Sequence, residues 1–536
     1  MLGMRTHALV LLAVLSLAPG VHAQTGTVAG RVLDGATEAP LANAILEVVG
    51  TSLRTVSSPS GAFVLDGVPV GIQAIRVSAI GFAPLVRADI PVGTGKPVAL
   101  TFRLARLAVE LEGLTVTAMP WFRREGAVRA RSLTGEEMRR LPGVQEDLIR
   151  AVALLPGVGV TSGGRNDLIV RGGAPFENLF ILDGFEIGNL NHFGSQGSTG
   201  GPVALVNIDF IDETRFEAGG FEAARGNRTA SLTEVTLREG SREGWSGELN
   251  LSATGFGAMA EGPVGGSGSL LLGARRSWLD LLFSAVGFPF RPTFYDLTAK
   301  GVWDLSSRDR LEVLGIGALD DLRFDNSTAD NRLDNSRIMQ LDQDRLLAGV
   351  TWRRSLPDGT LRVTLGRSQT WFHSTQFDTL VPPDTLFRNR STEGEWTLRA
   401  SLTNQLTRQV SWSVGAEGMV GDAYRYAVDL PGFLRRDGVG MPRALVVDTT
   451  FTPWRAALSS DLTWALPGGT RLSGGLRLDR TGIGEAATRL SPRFAAAVPV
   501  GGSVTLLARA GRYTQAPSTI WLAGAAANAS LRPIRA

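Results

Sequence analysis

A two-residue period in hydrophobicity runs through the second half of this chain and limits what it can fold into. Trp245, Gly247, Leu249, Leu251 and Ala253 fall on one side of an extended backbone, with Ser246, Glu248, Asn250, Ser252 and Thr254 on the other. Trp396, Leu398, Ala400 and Leu402 alternate in the same way with Thr397, Arg399, Ser401 and Thr403. Trp412, Val414, Ala416, Gly418 and Val420 repeat the scheme against Ser411, Ser413 and Glu417. Leu472, Gly474, Leu476 and Leu478 do so against Arg471, Ser473, Arg477 and Asp479. Successive side chains of a strand point to opposite faces, so these stretches read as strands with one apolar and one polar face. A soluble sandwich alternates too. Strands of about ten residues, recurring with charges kept to the polar face, point instead to a β-barrel in a membrane.

The connections agree. Gly265-Gly266-Ser267-Gly268, Ser306-Ser307-Arg308-Asp309, Pro357-Asp358-Gly359, Pro467-Gly468-Gly469 and Gly501-Gly502 read as tight turns. Between them lie polar excursions at 320–342, 372–394 and 421–452, and membrane barrels alternate short turns on one rim with longer loops on the other. Trp245, Trp278, Trp303, Trp352, Trp371, Trp396, Trp412, Trp454 and Trp464 sit at or near the expected strand ends, where an indole suits the headgroup boundary. No apolar run long enough for a membrane helix occurs after the N-terminus. A net charge of +3 with no concentrated basic stripe gives no case for a nucleic-acid partner.

The 536 residues exceed one ordinary domain. Residues 1–23 have the layout of a secretory signal: Arg5 and His7, then the apolar stretch 8–17, a Pro19-Gly20 break and Val21-His22-Ala23 before Gln24. No cysteine follows, so neither a lipid-anchored precursor nor disulfides are expected. From 25 to 107 the pattern is short strands separated by Asp34-Gly35, Ser60-Gly61 and Asp66-Gly67, which suggests a small β-sandwich. Within it Gly30-Arg31-Val32, Pro40-Leu41, Ala44, Gly61-Ala62-Phe63, Gly71 and Gly81-Phe82 resemble the carboxypeptidase-regulatory-like domain. The zinc carboxypeptidases need His and Glu ligands, and no His lies between His22 and His192, so this part reads as a spacer or protein-contact module.

The segment 111–238 opens with the β-prone run Leu114-Thr115-Val116-Thr117, then offers a helix candidate at 145–155 between Pro142 and Pro156. Ile169-Val170-Arg171-Gly172-Gly173 follows, then Ile181-Leu182-Asp183-Gly184, and later Glu217-Ala218-Gly219-Gly220. In this order the pieces resemble the plug of TonB-dependent outer-membrane receptors. The resemblance implies a TonB box at 111–118, with Leu114, Thr115, Val116 and Thr117 meeting a TonB-like energy-transducing protein by strand addition. It also implies a plug at 119–240, with Arg171, Gly172, Gly173, Leu182, Asp183, Gly184, Gly219 and Gly220 as its motif, and a barrel from 245 to 536. The expected fold is therefore all-β dominated, with an N-terminal β-sandwich, an α+β plug and an antiparallel transmembrane β-barrel.

Alternating segments number roughly thirteen, whereas plugged barrels of this kind close with about 22 strands, and the end Leu531-Arg532-Pro533-Ile534-Arg535-Ala536 is not strand-like. An incomplete barrel, truncated at its C-terminus, is the expectation. Arg171 and Asp183 suggest a buried ion pair or plug anchors. Asp320, Asp321 and Asp325, or Asp342 and Asp344, could hold a cation but more simply mark solvated loops. His192 and His373 are too far apart in sequence to argue for a metal pair, the paired glycines lack the Lys and Ser/Thr of a phosphate cradle, and no catalytic constellation is legible. No metal, cofactor or enzymatic activity is expected. The resemblance implies an exported outer-membrane receptor, in contact with lipid, for active uptake of a small scarce nutrient such as a ferric chelate, cobalamin, glycan or peptide. The alternative is a non-transporting adhesion or signalling receptor.

Overall fold

A computed structural model of the chain describes residues 24–106 and 131–536, apart from 36, 95–96, 145–146, 162–164, 253, 382, 437–441, 501–503, 524–527 and 529. The expected signal segment and the Leu114–Thr117 run lie outside the described residues. The chain divides into two compact units, one of Met1–Val32 and Leu41–Phe102, the other of Leu33–Pro40 and Arg103–Ala536.

In the first unit Thr25–Asp34 pairs antiparallel with Ala62–Pro69 and neighbours Val98–Leu104 in a three-stranded sheet. Arg54–Val56, Ile45–Val48, Gly71–Ser78 and Leu85–Val92 form a four-stranded sheet. Val28, Leu46, Phe63, Ile75, Val77 and Phe102 are buried, so both sheets contribute to one sandwich core. Phe63 and Phe102 meet at 5.7 Å between ring centroids. Gly30 is glycine for a steric reason: a Cβ there would stand 1.7 Å from the Leu100 carbonyl oxygen.

The second unit is built on one large antiparallel sheet of 15 strands running from Ser246–Leu251 to Thr505–Gly511. Tyr424–Arg436 and Pro442–Phe451 leave its main path as a hairpin laid against Thr385–Gln405, and the other 13 strands follow one another. Among the described residues, the first and last strands of that path each pair on one side only. The period-two face assignment holds: Leu249 is 88 %, Leu251 74 % and Leu398 53 % exposed on the outside. Their neighbours point inward, where Asn250 donates to Asp209 at 3.0 Å and Arg399 donates to the Gly184 carbonyl at 2.7 Å. The registers set Leu251, Phe256, Arg276, Tyr295 and Leu319 side by side in one outward row.

The strands in the middle of the path are longer than the expected ten residues. Asp309–Phe324 has 16, Gly359–Phe377 19 and Thr385–Gln405 21. Most of the polar stretch 372–394 and the two ends of 320–342 are therefore strand rather than loop, and 421–452 contains the hairpin. Main-chain pairing needs only a neighbouring strand, so it continues where the apolar alternation has stopped. Trp371 and Trp396 consequently lie well inside their strands: an indole marks a depth on the outer face and not a strand end. Short turns such as 265–267, 305–308 and 357–358 share one rim. The longer connections 278–289, 325–339 and 378–384 share the other.

Residues 131–238 fill the inner side of this sheet. Their own five-stranded sheet has the order Phe185–Ile187, Asn178–Leu182, Ser231–Leu237, Ile211–Ala218, Arg131–Thr134, with only the second and third strands parallel. The helix Gly135–Arg140 begins with a capping box, Thr134 accepting from the Glu137 amide while Glu137 accepts from that of Thr134. The helix expected at 145–155 is shorter, Leu148–Ala153, started by Asp147 accepting from the Ile149 and Arg150 amides. Leu133, Met138, Ile149, Phe180, Phe210 and Phe216 form a core that continues into the wall through Leu271, Leu314, Ile316 and Leu347.

Candidate functional site

The seam between this plug and the inner wall is where the chain's buried polar chemistry gathers. Its sharpest point is the hairpin Asn178–Leu182/Phe185–Ile187, closed by the two residues Asp183 and Gly184. Their φ values of +50° and +93° are those of a type I′ turn, which needs left-handed backbone at both centres and so selects Asp-Gly. The turn tip meets the wall three ways. The Gly184 carbonyl accepts from Arg399, the Asp183 carboxylate stands 2.8 Å from the Lys300 ammonium, and Phe185 lies flat over two wall glycines. A Cβ at Gly349 would come within 2.0 Å of the Phe185 ring and one at Gly366 within 2.6 Å. Phe210 is seated over Gly273 in the same manner, at 2.1 Å.

Lys300 is nearly buried and also donates to the Leu237 carbonyl at 2.5 Å. Asp183 accepts from the Leu237 amide at 2.8 Å, and burial pushes its carboxyl up against the pull of Lys300. The expected pairing of Asp183 with Arg171 is not formed. Arg171 sits at φ +52° in the turn after Leu168–Val170 and its side chain is exposed, so the acid takes the wall's lysine instead.

Elsewhere the wall grips the plug by its main chain. Arg275 donates to the Ala204 carbonyl at 2.8 Å, Arg345 to that of Asn189 at 3.1 Å, and Arg493 to those of Phe221 and Arg225 at 2.9 and 2.7 Å. Arg509 bonds the carbonyl of Gly220, whose missing Cβ leaves room for the arginine stem: a Cβ would meet Cδ at 2.6 Å. Asp461 accepts from the Ala223 and Ala224 amides at 2.9 and 3.1 Å while Arg477 donates to the carbonyls of the same residues. A guanidinium presents several donors in a fixed fork, and bonds from a charged donor are the strong ones. These arginines were legible only as charges on the polar face. Their inward parity was the signal; their acceptors were not encoded locally.

His192 is buried between two strands' carboxylates. Its Nδ1 lies 2.5 Å from Asp320 and its Nε2 3.3 Å from Asp296, with the ring stacked on Phe294 at 4.1 Å. Asp320 also accepts from the Phe193 amide at 2.7 Å. Asp320, weighed above as a loop cation ligand, thus holds the plug. Asp321 pairs with Arg323 at 2.7 Å, Asp325 with Arg291 at 3.1 Å, and Asp342 accepts from the Leu322 amide. His373 is exposed.

One plug carboxylate makes a pH test. Burial by itself raises the pKa of Glu234, but Arg225 at 2.6 Å and Arg215 outweigh it and hold the carboxyl at about 2 against 4.5. A depressed acid stabilises the fold above its unfolded pKa, and that contribution, on the order of 3 kcal/mol, is lost as pH falls from about 4.5 toward 2. The urea midpoint of the refolded protein should therefore drop more steeply between about pH 5 and pH 3 than that of Glu234→Gln. Equal slopes would remove Glu234 from the account.

A plug held inside a strand wall by buried ion pairs and arginine-to-carbonyl bonds is the architecture of a plugged barrel, of which the described residues form a part. Comparison with known proteins agrees. Residues 27–105 match the carboxypeptidase regulatory-like domain. The TonB-dependent transporter Oar of Myxococcus xanthus is 22% identical over 251 residues, 45% of this chain and 23% of that protein. An enterobactin-bound structure of the ferric enterobactin receptor PfeA of Pseudomonas aeruginosa superposes with a TM-score of 0.55 at 16% identity, covering 74% of this chain and 64% of that one. The copper transporter OprC gives 0.55 at 15%, covering 72% and 65%. The chain thus spans less than a quarter of the curated relative and just under two thirds of these solved receptors. It has the fold of the TonB-dependent outer-membrane receptors, with a carboxypeptidase regulatory-like domain at its N-terminus.

Proposed function

We propose that the protein is a receptor for energy-driven uptake of a small scarce nutrient across the outer membrane, delivered there by the signal-like segment 1–23. The observation that carries this reading is the density of fastening between plug and wall. A passage closed by a buried ion pair, seated aromatics and charged hydrogen bonds opens only when work is done on it or when a ligand binds the open state better. Leu114–Thr117 is the segment on which a TonB-like partner would pull, adding it as an edge strand to its own sheet. The first described strand after that segment, Arg131–Thr134, lies at the edge of the plug sheet and, among the described residues, pairs only across Glu213–Phe216. Tension from the N-terminal side would therefore reach a short, peripheral pairing first. The long-loop rim faces outward in this reading and the ligand enters there.

The test is deletion of Leu114–Thr117 in cells expressing the protein, with ferric enterobactin and copper as the first probes because the matched receptors bind or carry them. Uptake should fall to the level of cells lacking the protein while binding to the cell surface is retained. Unchanged uptake would overturn the reading, and surface binding with no uptake in either form would favour a receptor for adhesion or signalling.

A further inference from the structure

The longer connections on one rim carry two helices of equal length and opposite character. Ala329–Ser336, with the sequence ADNRLDNS, is polar and starts from a Thr328 cap. It is tied down by Asn335, which donates to the Pro289 and Asp325 carbonyls. Leu279–Val286, with the sequence LDLLFSAV, is apolar and buries none of its residues. Leu281 is 65 % and Val286 66 % exposed, and Leu282 and Phe288 are also open. Phe283, Phe288 and Phe290 cluster at 5.2–5.5 Å, giving one contiguous apolar surface. Position on the rim does not explain that surface, since the helix in the next long connection is hydrophilic. An exposed apolar patch of this kind marks a place of contact.

What it contacts is indicated by where the helix is moored. Asp280 in its first turn pairs at 3.0 Å with Arg276, whose Nε donates to the Tyr295 hydroxyl at 3.1 Å and whose guanidinium lies 5.6 Å from that ring. Arg276 and Tyr295 belong to the outward row that also holds Leu251, Phe256 and Leu319, the face turned away from the plug. The apolar helix thus continues the lipid-facing band of the wall beyond the ends of the strands. An arginine and a tyrosine lie at the join, the residue types that straddle apolar and wet regions.

We infer that Leu279–Val286, with Gly287 and Phe288, is a membrane foot: a helix lying in the interfacial layer of the outer leaflet, its leucines and Phe288 among lipid chains. This rests on the membrane-barrel reading above and extends it to a loop. The chain has no cysteine, so single thiols can be placed at will. An environment-sensitive fluorophore would be attached to Leu282→Cys, Val286→Cys, Leu333→Cys in the polar helix and Leu398→Cys on the wall. Each protein would be examined in phospholipid vesicles, with a nitroxide-bearing lipid and with aqueous iodide as quenchers. Positions 282 and 286 should be quenched by the nitroxide lipid several-fold more than position 333, as position 398 is, and spared by iodide. If 282 and 286 follow 333 while 398 remains lipid-quenched, the foot is wrong and the barrel stands. If 398 itself is open to iodide and not to lipid, both fail. If 282 and 286 are shielded from water in isolated outer membranes but exposed in pure vesicles, a protein covers the helix and the lipid assignment is overturned.

Discussion

Replacing Lys300 by alanine should loosen the plug from the wall by about 3–5 kcal/mol, the usual cost of leaving one member of a buried ion pair without its partner. The pair itself is worth much less than that, because desolvating two charges consumes most of their attraction. The double variant Lys300→Met with Asp183→Asn should accordingly recover most of the loss. Urea unfolding of the refolded protein, together with protease nicking of the plug, reads both effects. Burial already pushes Asp183 upward, and losing the ammonium pushes it further, so the deficit of the single variant should shrink as pH falls and the acid takes a proton. A Lys300→Ala protein as stable as the parent would mean that the pair fastens nothing. Lys300 has no substitute nearby in kind: the chain's lysines are Lys96 and Lys300, and its other permanent cations are arginines.

Phe185→Ala should cost a similar amount, about 3–5 kcal/mol, for a different reason. The ring is buried against Gly349 and Gly366, and wall glycines cannot move a side chain into the space it vacates. The complementary change, Gly366→Val, fills the seat while the ring is still there and should destabilise by about 1–3 kcal/mol through overpacking. Combining Gly366→Val with Phe185→Ala should then cost less than the sum of the two, since each change relieves the other. Strict additivity, measured by the same urea midpoints, would show that ring and glycine do not meet in solution.

The wall was readable from sequence because its rule is local. Leu249 against Asn250 and Leu398 against Arg399 need only the parity of a strand, and parity survives whatever the neighbours are. Strand ends were not readable, because Phe372–Phe377 and Thr385–Gly394 stay paired after their hydrophobic pattern has run out. Within the plug, Asp183-Gly184 was recognisable as a motif and its turn follows from the residue types, yet its wall partners Lys300 and Arg399 lie on strands more than a hundred residues away. Arg171 shows the same limit from the other side: a cation near an acid in sequence was the obvious mate and a lysine on the wall took its place. The helix Gly135–Arg140 was missed although Thr134 and Glu137 spell its start, a capping signature that asks for no long-range knowledge. His192 looked like an isolated histidine because the two aspartates that enclose it come from separate strands of the sheet.

The wall arginines have a consequence for how such a molecule can change. They clasp peptide oxygens at Ala204, Asn189, Phe221 and Gly220, groups that every residue type supplies. A socket of this sort recognises the path of a chain and is nearly blind to its lettering. Stoppers of quite different wording can sit in such a wall, provided they turn the same corners.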